Sequence, residues 1–176
     1  VACLRDLLPK DPSIQVRGKI DMAVEQLAYD SRRVEPGAVF FALPGTKTKG
    51  AAFLEQALDH GARAVVVPAG TVVPAGVTVI TAARPRRLLG VMADEFYQRP
   101  SGQLTLIGVT GTSGKTTTTY VLEAIGKAAG WSVGVIGTVN CRYGDQTLSA
   151  PFTTPEAVEL QALLRTMVLA GISHVV

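Results

Sequence analysis

The sequence predicts an α/β protein in two parts, a small α/β domain followed by the start of a parallel-sheet domain. Three observations carry this. From about residue 102, strand-like apolar runs alternate with helical stretches in the order strand–helix–strand–helix–strand, which requires a parallel sheet with crossover helices. Before that point, short strand-like runs alternate with two helical stretches. Between them, "PSGQ", Pro100 to Gln103, is a polar turn cluster and sets expected domains of 1–101 and 102–176.

Each element has its own signal. "EQLAYDS" and "GAVFFAL" read as strands joined by "RRVEPG", where Pro36-Gly37 signals a turn. "GAAFLEQALDHGA" has helical apolar spacing, with Gly61 placed to stop it. "RAVVV" and "VTVI" read as buried strands, and "RRLLGVMADEFYQR" as an amphipathic helix. After the boundary come strand "LTLIGVT", a glycine loop, a helix from about Lys115 and strand "SVGVIG". "VNCRYGDQTLS" reads as a hairpin turning at Gly144-Asp145. A helix then starts at "TTPE": Thr154 suits the cap, Pro155 the first helical position and Glu156 the positive end of the dipole. "SHVV" closes the pattern as a strand.

Bulk properties exclude several classes. With 47% hydrophobic and 18% charged residues among 176, the chain buries a core and is not disordered. A net charge of +3 is too weak and dispersed to argue for nucleic acid, but is compatible with small anionic ligands. Prolines and glycines break the longest apolar stretch, "AVVVPAGTVVPAGVTVI", so no bilayer span is expected. Two distant cysteines, Cys3 and Cys141, make no metal spacing and suit a reducing cytosol. The start shows neither methionine nor signal pattern, and the end reads as a strand entering further structure, so a fragment is expected.

The stretch "LIGVTGTSGKTTTTYVLEAIGKAAG" carries the chemistry. Threonine is a mediocre helix former, yet four follow Lys115 at a helix start. The strict phosphate-loop pattern G-x-x-x-x-G-K-[ST] is missed by one position, because Val109 stands five before Gly114. The context is nevertheless a strand before and a helix after. Gly111 and Gly114 let successive amides point into one concavity, and the helix N-terminus adds unpaired donors. Lys115 supplies a point charge for outer phosphates, and the Thr116 hydroxyl suits magnesium, which takes few protein ligands. The threonines are expected to face a ligand or cap free amides. The alternative is a glycine-rich turn with a solvated lysine.

"VTGTSGKTTT" resembles the ATP loop of the Mur ligase family, commonly G-T-x-G-K-T-T, which accounts for the offset glycine. "YDSRRVEPGAVFFALPGTKTKG" resembles the family's uridine-diphosphate-binding segment, and "PFTTPEAVELQALLRTMVLAGISHVV" resembles its tripeptide-forming branch. These motifs cover most of residues 26 to 176. Ser113 stands where asparagine is usual, and Lys49-Gly50 where Asp-Gly is common. The resemblance implies a UDP-binding domain followed by the start of an ATP-binding domain. Gly111, Thr112, Ser113, Gly114, Lys115, Thr116 and Thr117 would bind ATP, with Lys115 catalytic and Thr116 at magnesium. Ser31, Thr46, Lys47 and Thr48 would hold the uridine diphosphate, and Thr153 and Thr154 the muramoyl-peptide part.

The implied activity is ATP-dependent addition of a third amino acid, diaminopimelate or lysine, to UDP-N-acetylmuramoyl-L-alanyl-D-glutamate in peptidoglycan precursor synthesis. It would proceed through an acyl phosphate, in a cytoplasmic monomer, and not in the fragment alone. The alternatives are the pentapeptide-forming ligase of the same family and an ATP-binding module without ligase activity. On their own, "DSR" reads as a turn with an exposed arginine, Lys47 and Lys49 as solvated charges, and Thr153-Thr154 as a helix cap. Arg84, Arg86 and Arg87 read as surface charge, His60 as helix-end surface, His174 as a strand residue and Trp131 as packing.

Overall fold

The computed structural model describes residues 2–45, 50–137, 139–149 and 155–176. The chain divides into two compact units, Val1–Phe96 and Tyr97–Val176.

In the first unit the elements are β1 (Ala2–Cys3), α1 (Leu4–Leu7), β2 (Gln15–Arg17), β3 (Ala23–Val24), β4 (Gln26–Ala28), β5 (Ala38–Phe41), α2 (Leu54–Asp59), β6 (Ala64–Val67), β7 (Thr78–Thr81) and α3 (Pro85–Phe96). The main sheet has the order β2-β7-β6-β5-β4, parallel except for β2, which runs antiparallel along β7. Every residue of β5 and of β6 is buried, as central parallel strands covered on both faces require. Phe40, Val65 and Val67 pack with Leu54 and Ala57 of α2 in the core. Helix α2 ends before Gly61, where the expected stop lies. The elements before residue 25 had no expectation, because two- and three-residue strands are too short to show a period.

The second unit contains β8 (Thr105–Leu106), α4 (Lys115–Ala128), β9 (Val133–Ile136), β10 (Asn140–Tyr143), β11 (Gln146–Ser149), α5 (Ala157–Leu169) and β12 (His174–Val175). Its sheet has the order β11-β10-β9-β12-β8. Strands β8, β12 and β9 are parallel, as the alternation predicts, and β10–β11 form the expected hairpin on Gly144-Asp145. Met167 and Leu164 of α5 pack with Ile172 and Val175, while Val133 and Val135 pack with Val176 and Leu122.

Pro100–Gln103, where the domain boundary is expected, is a 3-10 turn packed on α5, and the compact units divide between Phe96 and Tyr97. Three element boundaries differ from expectation. Strand β8 is two residues long, because the chain leaves the sheet early to build the glycine loop. Ser31 leaves strand conformation and opens a 3-10 turn, Ser31–Arg33, capped by the Asp30 carboxylate accepting from the Arg32 amide. Helix α5 begins at Ala157 with Glu156 as N-cap, so Pro155 precedes the helix, and Thr154 lies outside the described residues.

Candidate functional site

The loop of residues 107–114 leaves the carboxyl end of β8 and delivers the chain into α4. Carboxyl ends of parallel strands are where open α/β sheets bind ligands, since loops and helix N-termini converge there. The Ile107 amide still bonds the Val175 carbonyl at 2.8 Å; from Gly108 onward the backbone is loop. Gly111 (φ 152°) and Gly114 (φ 79°) both take left-handed geometry, and Gly114 is the N-cap of α4 with no side chain capping it. A Cβ at Gly114 would be strained at this φ even though no atom lies in its way. Intrahelical bonding begins with the Thr118 amide donating to the Gly114 carbonyl at 2.9 Å. The amides of Lys115, Thr116 and Thr117 precede it, which is the arrangement that receives anions.

Gly111, Thr112, Ser113, Gly114, Lys115, Thr116 and Thr117 are all exposed on this turn. The Lys115 ammonium donates to the Gly111 carbonyl. Thr118 and Thr119 do not cap amides. Thr118 Oγ1 donates to the Gly114 carbonyl at 3.0 Å and Thr119 Oγ1 to the Thr116 carbonyl at 2.7 Å. Back-bonding of this kind satisfies a hydroxyl without serving the free donors, which corrects the expectation for these two residues. Thr116 keeps its hydroxyl free of protein partners among the described residues.

Thr116 and Lys115 line a cavity of about 200 Å³ together with Tyr120, Asn140, Arg142 and Pro155. Lys115 supplies the unneutralised positive charge among the described lining residues, since the other cation, Arg142, is paired with Glu123, and that charge favours an anionic occupant. Behind it lies a network that sequence reading missed. The buried Glu123 carboxylate accepts from Arg142 and, at 2.9 Å, from Lys127. Arg142 also donates to Asn140 Oδ1 and lies over the Tyr120 ring, 4.1 Å from its centroid. Burial pushes the Glu123 carboxyl up, but the hydrogen bonds and charges of Arg142 and Lys127 outweigh it and hold it below the ordinary 4.5. The signal was present: Thr116, Tyr120, Glu123 and Lys127 fall on one helical stripe, and Asn140 and Arg142 on one face of a strand.

In the first unit, Ser31 follows β4 and the segment after Phe41 follows β5, its parallel neighbour, so both leave the same edge of the sheet. Gly50 closes that segment, its amide on the Leu43 carbonyl at 3.1 Å. Thr46, Lys47 and Thr48, like Thr153 and Thr154, lie outside the described residues. Ser31 is buried, and its hydroxyl donates to Gln56 Oε1 at 2.6 Å. His60 is exposed at the helix end as expected, but it has a partner that expectation lacked: its Nδ1 meets the Ser31 carbonyl at 2.9 Å. Gln56 and His60 stand four apart along α2, the spacing that could have linked them to one target. Elsewhere, Trp131 stacks on His174 with centroids 4.1 Å apart. No helix is long and apolar enough to cross a membrane, and no cluster of three His, Cys, Asp or Glu is poised for a metal, among the described residues.

A mixed sheet whose parallel strands β8, β12 and β9 begin with one that runs through a glycine loop into a Lys-Thr helix start belongs to the phosphate-loop class of nucleotide-binding folds. Comparison with known proteins narrows the class. The profile described as "Mur ligase family, catalytic domain" matches residues 23–97, and that described as "Mur ligase middle domain" matches residues 109–176. The chain belongs to the Mur ligase family. It is 42% identical over 173 residues to the UDP-N-acetylmuramoyl-L-alanyl-D-glutamate–2,6-diaminopimelate ligase of Geobacter sulfurreducens, an overlap of 98% of this chain and 34% of that protein. It thus spans about a third of the length of the curated relatives it matches. A solved ligase of the same name superposes with a TM-score of 0.78 at 25% identity, covering 99% of this chain and 35% of the other. The MurF ligase of Thermotoga maritima in complex with ADP gives 0.50 at 27% identity, covering 79% and 28%.

Proposed function

We propose that the full-length protein is an ATP-dependent ligase joining a third amino acid to UDP-N-acetylmuramoyl-L-alanyl-D-glutamate, in the cytoplasmic synthesis of peptidoglycan precursors. The observation that carries this reading is the loop at Gly111 to Gly114 opening α4 with Lys115 and Thr116, in a chain 98% covered by a relative named for that reaction. The lower TM-score against the MurF ligase favours the tripeptide-forming reaction over the pentapeptide-forming one.

The chemistry follows from the residues. A carboxylate repels an amine, so it must first become an acyl phosphate with a good leaving group. The free amides at the start of α4 and the Lys115 ammonium bind and neutralise the phosphates of ATP. Lys115 reaches them by exchanging its bond to the Gly111 carbonyl for one to phosphate oxygen. Thr116 fits magnesium: its hydroxyl has no protein partner among the described residues, and the ion needs few protein ligands beside waters and phosphates. When bound, magnesium neutralises charge on the phosphates of the nucleotide. In the first unit, Ser31 with Thr46, Lys47 and Thr48 would hold the uridine diphosphate, at the carboxyl ends of β4 and β5. Thr153 and Thr154 would meet the muramoyl-peptide part.

The test is phosphate release from ATP by the full-length protein with magnesium and the UDP-muramoyl-dipeptide, supplying diaminopimelate or lysine in parallel. Release that requires the sugar-peptide and one amino acid is the expected result; diaminopimelate is tried first, because the relatives are named for it. Release indifferent to the sugar-peptide overturns the ligase reading, and release that requires the tripeptide form with a D-alanyl-D-alanine acceptor assigns the pentapeptide-forming reaction instead.

A further inference from the structure

We propose that Arg142 is a positioning residue, fixing the β10–β11 hairpin against the helix that carries the ATP loop and so setting the wall of the phosphate-transfer cavity. The inference rests on the ligase reading above. Helix α4 presents Thr116, Tyr120, Glu123 and Lys127 along one stripe, because residues three and four apart share a face. Arg142 reaches across from β10 and lies along that stripe. Its guanidinium donates to Glu123, covers the Tyr120 ring at 4.1 Å and donates to Asn140 on its own strand.

Each contact fixes a different freedom. The carboxylate fixes position along the helix, the ring fixes the plane of the guanidinium, and Asn140 ties both to the strand. The ion pair is sheltered: the side chains of Arg142 and Glu123 are 16% and 11% exposed, whereas Lys127, the other partner of Glu123, is 60% exposed. An arginine held by three partners in a sheltered position is a rigid spacer, and lysine cannot reproduce its planar fork. Arg142, Asn140 and Tyr120 line the same cavity as Lys115 and Thr116. Past the hairpin, the chain returns to that cavity at Pro155. The hairpin's register against α4 therefore sets how far Asn140 and Arg142 stand from Lys115 and Thr116 of the phosphate loop.

The experiment compares the full-length wild type with Arg142→Met, Arg142→Lys, Glu123→Gln, the Arg142→Met/Glu123→Gln double variant and Lys127→Ala. Steady-state phosphate release gives kcat and KM for ATP, and thermal melting reports folding. A displaced cavity wall lowers kcat by about tenfold to a hundredfold, since a misplacement near 1 Å carries that cost. KM for ATP stays within about threefold, because the loop itself is intact. Glu123→Gln reproduces the loss and the double variant adds little to it; Arg142→Lys recovers part, and Lys127→Ala stays near wild type. Unchanged kcat in Arg142→Met overturns the inference, as do additive losses in the double variant, an equal loss in Lys127→Ala, or a kcat loss that only tracks lost melting temperature. A wild type without sugar-peptide-dependent release overturns the ligase reading itself, which separates that failure from this one.

Discussion

The Lys115 ammonium donates to the carbonyl of Gly111, four residues earlier, and so closes the glycine loop on itself. Both residues are exposed, so this bond contributes little to folding; its importance is where it holds the charge. Replacing Lys115 by methionine is expected to reduce substrate-dependent phosphate release by about a hundredfold or more, with the melting temperature almost unchanged. Lys115→Arg should not restore it, because a planar fork does not replace a compact ammonium on a short loop. Single-turnover phosphate release beside a melting curve measures both.

The Ser31 hydroxyl is already engaged with Gln56. Ser31→Ala is expected to cost about 0.5–1.5 kcal/mol of stability through that bond. If Ser31 also meets uridine diphosphate, calorimetric titration with UDP will show an affinity loss of about fivefold or more, as one hydrogen bond near 1 kcal/mol dictates. A stability loss with unaltered UDP affinity would assign Ser31 to the loop's architecture alone.

Acid should weaken the second unit through Glu123. Its folded-state pKa is depressed, by Arg142 and Lys127 against the opposing effect of burial, so its stabilisation is complete above the ordinary carboxyl value of 4.5. That contribution is lost as pH falls from 4.5 through the lower folded value, where protons bind the unfolded state first. Melting curves between neutral pH and about pH 3 should show a steeper acid decline in wild type than in Glu123→Gln. Parallel declines would remove Glu123 from the account.

Phe40 lies at the centre of β5 with 1% of its surface exposed, between β4 and β6. Phe40→Ala is expected to destabilise the first unit by about 3–5 kcal/mol, the sum of lost transfer energy and the cavity left behind. Hydrogen exchange of the β5 and β6 amides reads this locally. The amides of β9 and β12, in the other unit, serve as the internal reference.

Strong local patterns made most of the fold legible. Continuous apolar runs marked β5, β6 and β9, and the loop glycines stood where a left-handed backbone was needed. The elements before residue 25 escaped because a two-residue strand has no period. The start of α5 moved because caps are decided by backbone dihedrals, not by which residue could cap. The first-turn threonines showed the same limit: a hydroxyl near free amides can equally turn to a carbonyl, and Thr118 and Thr119 did so.

By itself the sequence determined the alternation that makes a parallel sheet, the loop between β8 and α4, and the family to which the chain belongs. Those properties are written in neighbouring residues, where spacing and side-chain type act directly on the backbone. Tertiary structure alone decided that Arg142 meets Glu123 across nineteen positions of chain and that Gln56 and His60 converge on Ser31. Such pairs exist only once separate elements pack, because the desolvation that gives a buried ion pair its constraint has no counterpart in the extended chain.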